Sequence, residues 1–285
     1  MNKIGVHLFI QKGLEEALKE AHRLGCQTFQ IFSKSPRSWY APALNKEKTK
    51  RFSAMSVDLG MDSWAIHASY LINLASPKPD LWQRSVEALA HELVRAGEYG
   101  APFLVVHVGS SSTESDREKV LERVGQGVRQ ALKKAGETGA TLLLENMAAE
   151  RGDVGSTFEE LKILLDLIDA KDHLGICLDT CHAFAAGYDI RDAEGVGRLA
   201  GVIDQTVGWP SLKLVHANDS KKPLSCHVDR HQHIDQGFIG KEGFRSLLNH
   251  PQFGRLPFVL ETPKDSPQAD ETNISLLRHL ARNSG

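Results

Sequence analysis

Eight short apolar runs, starting about 25 to 45 residues apart with helical patterns between them, limit the folds open to this chain more than any other feature. They are KIGVHLF (3–9), TFQIF (28–32), SWAIHA, FLVVHV, TLLLEN, LGICLD, LKLVHA and FVLET. Buried strands alternating with amphipathic helices are the repeat of βα units, which assemble a parallel sheet. Runs such as LVVHV and TLLLE are apolar at almost every position, as a strand covered on both faces must be; a one-sided sheet alternates instead. EEALKEAHRL, RSVEALAHELVRAGEYG and VLERVGQGVRQALKKAGETG place apolar residues three and four apart, several closing on glycine, so they read as the intervening helices. A length of 285 residues without a Pro/Gly/Ser-rich linker suits one α/β domain, a (β/α)8 TIM barrel spanning residues 1–285. The alternative, a doubly wound open sheet, collects ligands at one or two crevices rather than along most of its strands.

Six of the runs end, or are followed at once, by a metal-loving side chain: His67, His107, Glu145, Asp179, His216 and Glu261. A polar or charged group at the end of a buried strand is expensive unless something there uses it. In a parallel barrel these ends converge on one face, where such folds keep their chemistry. In LDTCHAFAAGYD, His182 follows Asp179 by three residues, in the turn where a new ligand direction opens. After the seventh run, Asp229 and His231 flank Arg230; in extended chain that spacing puts both on one side and Arg230 on the other. Five histidines and four carboxylates with no clustered thiolates suit Zn²⁺, Mn²⁺ or Fe²⁺ better than Mg²⁺ or Ca²⁺. Nine ligands exceed the coordination of one ion. A central carboxylate such as Glu145 can bridge two, and paired ions suit in-line displacement at a phosphodiester, with a third for the departing oxyanion.

Composition narrows the classes further. With 41% apolar and 25% charged residues the chain is that of an ordinary soluble protein, and it has no 18-residue apolar stretch to span a membrane. MNKIGVHLF runs directly into the first strand without the apolar core of a secretion signal. Cys26, Cys177, Cys181 and Cys226 form no CxxC and no disulfide framework, so a cytoplasmic location is expected. Cys181, between two ligand candidates, reads as a buried inert thiol, and His227 and His233 as local hydrogen-bonding or surface residues. No glycine fingerprint or P-loop marks a nucleotide cofactor. The formal charge of −2 does not itself suggest nucleic acid, but three divalent ions would change it by +6, to +4, with the added charge all on one face. On that face FSKSPRSWYAP offers Lys34, Arg37, Trp39 and Tyr40, with Tyr70 beside it. Basic groups interleaved with aromatics suit phosphate contact and the filling of a gap in a base stack, though Trp39 also reads as a loop anchor.

IGVHL, HASYLINL, VVHVGS, LLLENMAAERGDVG, GICLDTCHAFAAGYD, LVHANDSK, VDRH, GFIG and LETP, spread over nearly the whole chain, resemble the endonuclease IV family of metal-dependent apurinic/apyrimidinic endonucleases, AP endonuclease family 2. The resemblance implies a TIM barrel, a monomer, and three Zn²⁺ ions with Mn²⁺ as an occasional substitute. It assigns the first ion to His67, His107 and bridging Glu145; the second to Glu145, Asp179, His216 and Glu261; the third to His182, Asp229 and His231. It implies base-excision repair by hydrolysis of the phosphodiester 5′ of an abasic site, leaving a 3′-hydroxyl and a 5′-deoxyribose phosphate, with 3′-phosphatase and 3′-diesterase activity. The partner it implies is double-stranded DNA bearing abasic sites or blocked 3′ ends. Glu261 and Glu145 are the candidate catalytic residues, Glu261 expected to hold or deprotonate the nucleophile; the resemblance assigns Arg37 and Tyr70 to insertion at the lesion and places His7 close behind the ligands. Val108, Ala68 and residues 147–154 depart from the commonest family form while sparing all nine ligand positions, and bear on loop rigidity and the grip on phosphate. A metal-dependent sugar isomerase on the same barrel is the main alternative, against which the third triad argues; a non-enzymatic metal or DNA-binding module is the other.

Overall fold

A computed structural model of the chain describes residues 2–111, 114 and 116–282. Its centre is a closed barrel of eight parallel strands: β1 (Lys3–Leu8), β2 (Thr28–Phe32), β3 (Ala65–His67), β4 (Phe103–Val106), β5 (Thr141–Glu145), β6 (Leu174–Asp179), β7 (Leu212–His216) and β10 (Pro257–Leu260). Each strand pairs with its predecessor and β10 closes on β1, with Lys3 to Val6 in register with Pro257 to Leu260. The TIM barrel expected from the run spacing is therefore the fold. A short antiparallel ribbon, β8 (Asp219–Ser220) and β9 (His231–Gln232), was not expected from the sequence, because two-residue strands carry no periodic signal.

Helices α1 (Leu14–Arg23), α2 (Lys46–Asp58), α3 (Pro79–Tyr99), α4 (Arg117–Ala135), α5 (Phe158–Ile168), α7 (Ala193–Gln205), α8 (Gly240–Asn249) and α9 (Ala269–Arg282) cover the outside, while the short α6 (Thr180–Ala186) is buried directly after β6. Their starts follow from local chemistry. The side chains of Asn45, Asp116, Thr157 and Asp192 each accept from a backbone N–H three residues on, satisfying donors a helix start leaves free. Helix α3 stops at Gly100, whose φ of 69° is a left-handed conformation favouring glycine.

The strands bury both faces against different partners. Outward residues such as Ile66, Leu104, Leu142, Ile176 and Phe258 join a large core with the helices, while Ala65, Val105, Leu143, Cys177, Leu214 and Val259 form a separate cluster inside the barrel. Glycine is needed where β1 meets β2, since a Cβ on Gly5 would lie 1.7 Å from the Thr28 carbonyl oxygen. Side chains two residues apart on a strand share a face. Two positions beyond each member of the inner cluster stand His67, His107, Glu145, Asp179, His216 and Glu261, in that order. The barrel interior thus ends, at its C-terminal mouth, in a layer of imidazoles and carboxylates.

Candidate metal centre

Glu145 lies at the middle of this layer, fully buried. Its Oε2 is 3.3 Å from His67 Nε2 and 3.1 Å from His107 Nε2, and its Oε1 is 3.0 Å from His216 Nδ1. His216 Nδ1 is in turn 3.3 Å from Glu261 Oε2. The remaining three candidates come from outside the barrel strands. Asp179 accepts from the backbone N–H of His182 at 2.8 Å, so the residue ending β6 also caps α6 and fixes the first turn that carries His182. Asp229 and His231 lie on the chain entering β9, where Asp229 reaches His182 Nε2 and His231 Nε2 at 3.2 Å each, while Arg230 between them is exposed.

The imidazoles are oriented from behind. His67 Nδ1 lies 2.7 Å from the Ala68 carbonyl, His182 Nδ1 2.9 Å from that of Asn146 and His231 Nδ1 3.2 Å from that of Glu261. A carbonyl only accepts, so each of these Nδ1 atoms donates, and each Nε2 is left facing the mouth as the atom a cation would take. His216 is reversed: its Nε2 faces Gln30 Oε1 at 2.8 Å, leaving Nδ1 for the cluster.

This donor set fits metal ions. Glu145 Oε2, His182 Nε2 and His231 Nε2 are buried without a hydrogen-bond partner, which is costly unless a cation completes them. Ligand atoms around a tetrahedral ion with bonds near 2.0–2.1 Å lie about 3.3–3.4 Å apart, close to the spacings here. Among the described residues five groups have all their ligand atoms within 4.8 Å of one another, and three of them contain the nine candidates: His67, His107, Glu145; Glu145, Asp179, His216, Glu261; and His182, Asp229, His231. All nine candidate ligands are therefore brought together. Burial disfavours the charged form of Glu145, but His216 and His107 outweigh it and hold its carboxyl well below the usual range. Burial likewise opposes ionisation of Asp229, yet His182 and His231 keep it strongly depressed. Two thiols are also close, but burial pushes Cys177 up to about 12 and raises Cys181 as well, so both stay protonated.

Gln30 and Asn218, which brace this layer, were not singled out in the sequence. Gln30, inward-facing on β2, donates to Glu261 Oε1 at 2.6 Å while its own oxygen meets His216. Asn218 donates to Asp179 Oδ2 at 2.7 Å and accepts from the Glu261 backbone N–H at 2.8 Å. A lone Gln inside the apolar run TFQIF was the available signal. His7 approaches Glu261 Oε1 at 3.3 Å, directly behind a ligand candidate. His233 pairs with Asp265 and Asn273, away from the cluster.

A cavity of about 230 Å³ opens above the layer, lined by His67, Tyr70, His107, His182, Asp229, His231 and Glu261. Tyr70, half exposed, has its ring centroid 5.2 Å from His67 and 5.8 Å from His107. Arg37 is exposed on the loop after β2. Of the other basic and aromatic candidates, Tyr40 is exposed, whereas Trp39 is held beneath Arg84, whose guanidinium carbon lies 4.5 Å from its ring centre. Lys34 is turned inward beside Glu92 at 3.5 Å and is not free to meet phosphate.

Comparison with known proteins agrees with this geometry. The family described as xylose isomerase-like TIM barrel matches residues 18–282. A probable endonuclease 4 of Methanoculleus marisnigri is 44% identical over 98% of both chains. The crystal structure of endonuclease IV from Thermus thermophilus superposes with a TM-score of 0.87 at 40% identity, covering 98% of each chain. A D-tagatose 3-epimerase-like protein shares the fold alone, with a TM-score of 0.73 at 22% identity over 98% of this chain and 96% of its own. Barrel, clustered donors and full-length identity converge, and the chain belongs to the endonuclease IV family.

Proposed function

We propose that the protein is an apurinic/apyrimidinic endonuclease of base-excision repair, holding three zinc-class ions and hydrolysing the phosphodiester 5′ of an abasic site in double-stranded DNA. The observation that carries this reading is the set of three donor groups at the barrel mouth, two of them sharing Glu145. His67, His107 and Glu145 would hold the first ion, Glu145, Asp179, His216 and Glu261 the second, and His182, Asp229 and His231 the third. When bound, such ions, of which Mn²⁺ is a permitted substitute, acidify water toward neutral pKa and neutralise phosphate oxygens.

The chain's own groups supply position and proton transfer. Gln30 and His7 hold Glu261 Oε1, which fixes the carboxylate plane and directs Oε2 toward His216 and the cavity. Burial opposes ionisation of Glu261, but His216 and His7 keep its carboxyl depressed, so it is an acceptor at neutral pH. Glu261 orients the attacking water and receives its proton as the new O–P bond forms, while the P–O3′ bond breaks in line and its electrons leave on O3′, which takes up a proton from solvent. The products are a 3′-hydroxyl and a 5′-deoxyribose phosphate. Arg37 and Tyr70 fill the gap in the duplex, and the missing base lowers the cost of turning the sugar out into the cavity. A blocked 3′ end presents the same phosphoryl group, hence 3′-phosphatase and 3′-diesterase activity. Among the described residues no helix is long and apolar enough to cross a membrane. The four cysteines, all unpaired, fit the reducing cytoplasm as the place of work, and the family resemblance implies a monomer.

The test is incision of a duplex with a single abasic site, with end-group analysis, beside a panel of ketoses and elemental analysis of the unchelated protein. We expect about three ions per chain, 3′-hydroxyl ends, and loss of activity after exhaustive chelation. A 3′ unsaturated aldehyde, full incision without metal, or turnover of a ketose in place of DNA overturns the reading.

A further inference from the structure

The loop between β2 and α2 carries Arg37, and four charged or polar side chains beneath it are almost fully buried: Ser33, Lys34, Glu92 and Arg95. The last two belong to α3, which contributes no donor to the metal centre. Arg95 spans the base of the loop: its Nε donates to Ser33 Oγ at 3.0 Å, one terminal nitrogen to the Ser33 carbonyl at 2.6 Å, and the other to the Pro42 carbonyl at 2.8 Å. Glu92 completes the fork, accepting from Ser33 Oγ at 2.8 Å and facing Lys34 Nζ at 3.5 Å, while Lys34 donates to the Ser38 carbonyl at 3.1 Å. On the opposite side the Pro36 carbonyl accepts from Ser69 Oγ at 2.8 Å and from the Tyr70 backbone N–H at 3.1 Å.

Burying such a cluster for stability alone is poor economy, because apolar residues of similar volume serve as well or better. Its geometry does something an apolar patch cannot. A guanidinium fork ties residues 33 and 42 to one point on a rigid helix, and the shared Pro36 carbonyl joins the Arg37 loop to the residue that begins the Tyr70 loop. We propose that Glu92 and Arg95 are positioning residues for lesion recognition: acting through Ser33 and Pro42, they hold Arg37 in fixed relation to Tyr70, so the probe is ordered before DNA arrives. Preorganisation moves the entropy of ordering the loop from the binding step to folding, which raises affinity for the substrate whose geometry matches. This deepens the functional reading above and rests on it for the roles of Arg37 and Tyr70.

Two variants test it, Ser33→Ala, which deletes only the hydroxyl that Glu92 and Arg95 share, and Arg95→Met, which keeps the apolar stem without the fork. In the metal-loaded protein at one fixed salt concentration, both should raise Kd and KM for the abasic duplex, Arg95→Met by roughly tenfold and Ser33→Ala by less. Affinity for intact duplex, kcat at saturation and hydrolysis of bis(p-nitrophenyl) phosphate, which needs no probe, should change by less than about threefold. Adding Arg37→Ala to Arg95→Met should cost little beyond Arg37→Ala alone, since the fork acts through the loop. Retained preference for the lesion in both folded variants, or a full additive loss in the double variant, overturns the proposal. Amide hydrogen exchange across residues 33–42 separates the two levels of inference: faster exchange in the variants supports the clamp whatever the substrate, and unchanged exchange refutes it. A wild type without preference for abasic duplex instead refutes the functional reading.

Discussion

Glu261 and Gln30 show how finely the residue scale divides the labour of the site. Glu261→Gln keeps size and one carbonyl oxygen but removes the negative charge and the proton acceptor, and its amide group would face the donor Nε2 of Gln30 or the His216 side of the cavity. Turnover should fall by about 10²–10⁴-fold with abasic-duplex binding retained, the usual scale for a lost general base. Near-normal kcat in single-turnover assays refutes that role. Gln30→Leu preserves volume but removes both the 2.6 Å bond to Glu261 and the 2.8 Å contact that sets the His216 tautomer. We expect the second ion group to lose about 10- to 100-fold in metal affinity, read by competition with a zinc indicator. Unchanged affinity at every site would mean that Gln30 is only filling space. Six of the nine ligand candidates could be read from the sequence because imidazole and carboxylate are rare at the ends of buried strands, and His182, Asp229 and His231 from their spacing around Asp179 and Arg230. Gln30 could not, because one amide within an apolar strand has too many ordinary explanations.

Among elements, the strands and the helices α1, α3 and α4 were legible, and the connection that carries Asp229 and His231 was not. A strand announces itself through side-chain period and apolar content, and that same period carried His67, Glu145, Asp179 and His216 to the inner face above Ala65, Leu143, Cys177 and Leu214. What holds Asp229 and His231 in place depends instead on contacts between distant residues. Asp219, on β8, accepts from the backbone N–H groups of Ser220, Asp235, Gly237, Ile239 and Gly240 at 2.7 to 3.3 Å, gathering the chain that follows the ribbon around one buried carboxylate. In the sequence it is merely the acid of HANDSK. Gly237 belongs to the same device, since a Cβ there would come within 2.5 Å of Asp219 Oδ1. Asp219→Asn turns an N–H₂ toward these donors and weakens several charge-assisted bonds, a loss of about 1.5–3 kcal/mol. Metal content should drop by one ion while the groups built on Glu145 remain loaded. A variant with wild-type stability and full metal content would show that the ribbon holds its ligands without Asp219.

For the whole molecule, the question is whether the proposed ions hold the barrel together or the barrel holds them. Small zinc domains are unfolded without their ion because they lack any other core. Here two apolar clusters, one inside the barrel and one between barrel and helices, are complete without the mouth layer, and the strand register closes independently of it. The mouth nevertheless gathers four carboxylates and five imidazoles, with orphaned lone pairs among them, so removing cations leaves desolvated groups facing one another. Both statements lead to one expectation. Chelation should leave the far-UV circular dichroism of the barrel intact at about 25 °C but lower Tm by roughly 5–20 °C, since a chain of this size shifts by about 2–4 °C per kcal/mol. Readdition of Zn²⁺ should restore Tm in a concentration-dependent way, as binding to the native state alone requires. Collapse of the helical signal on chelation would make the metals part of the fold, and an unmoved Tm would mean the donors are satisfied without ions. The intermediate outcome is what the proposed metal site, preformed on an independently stable barrel, must give.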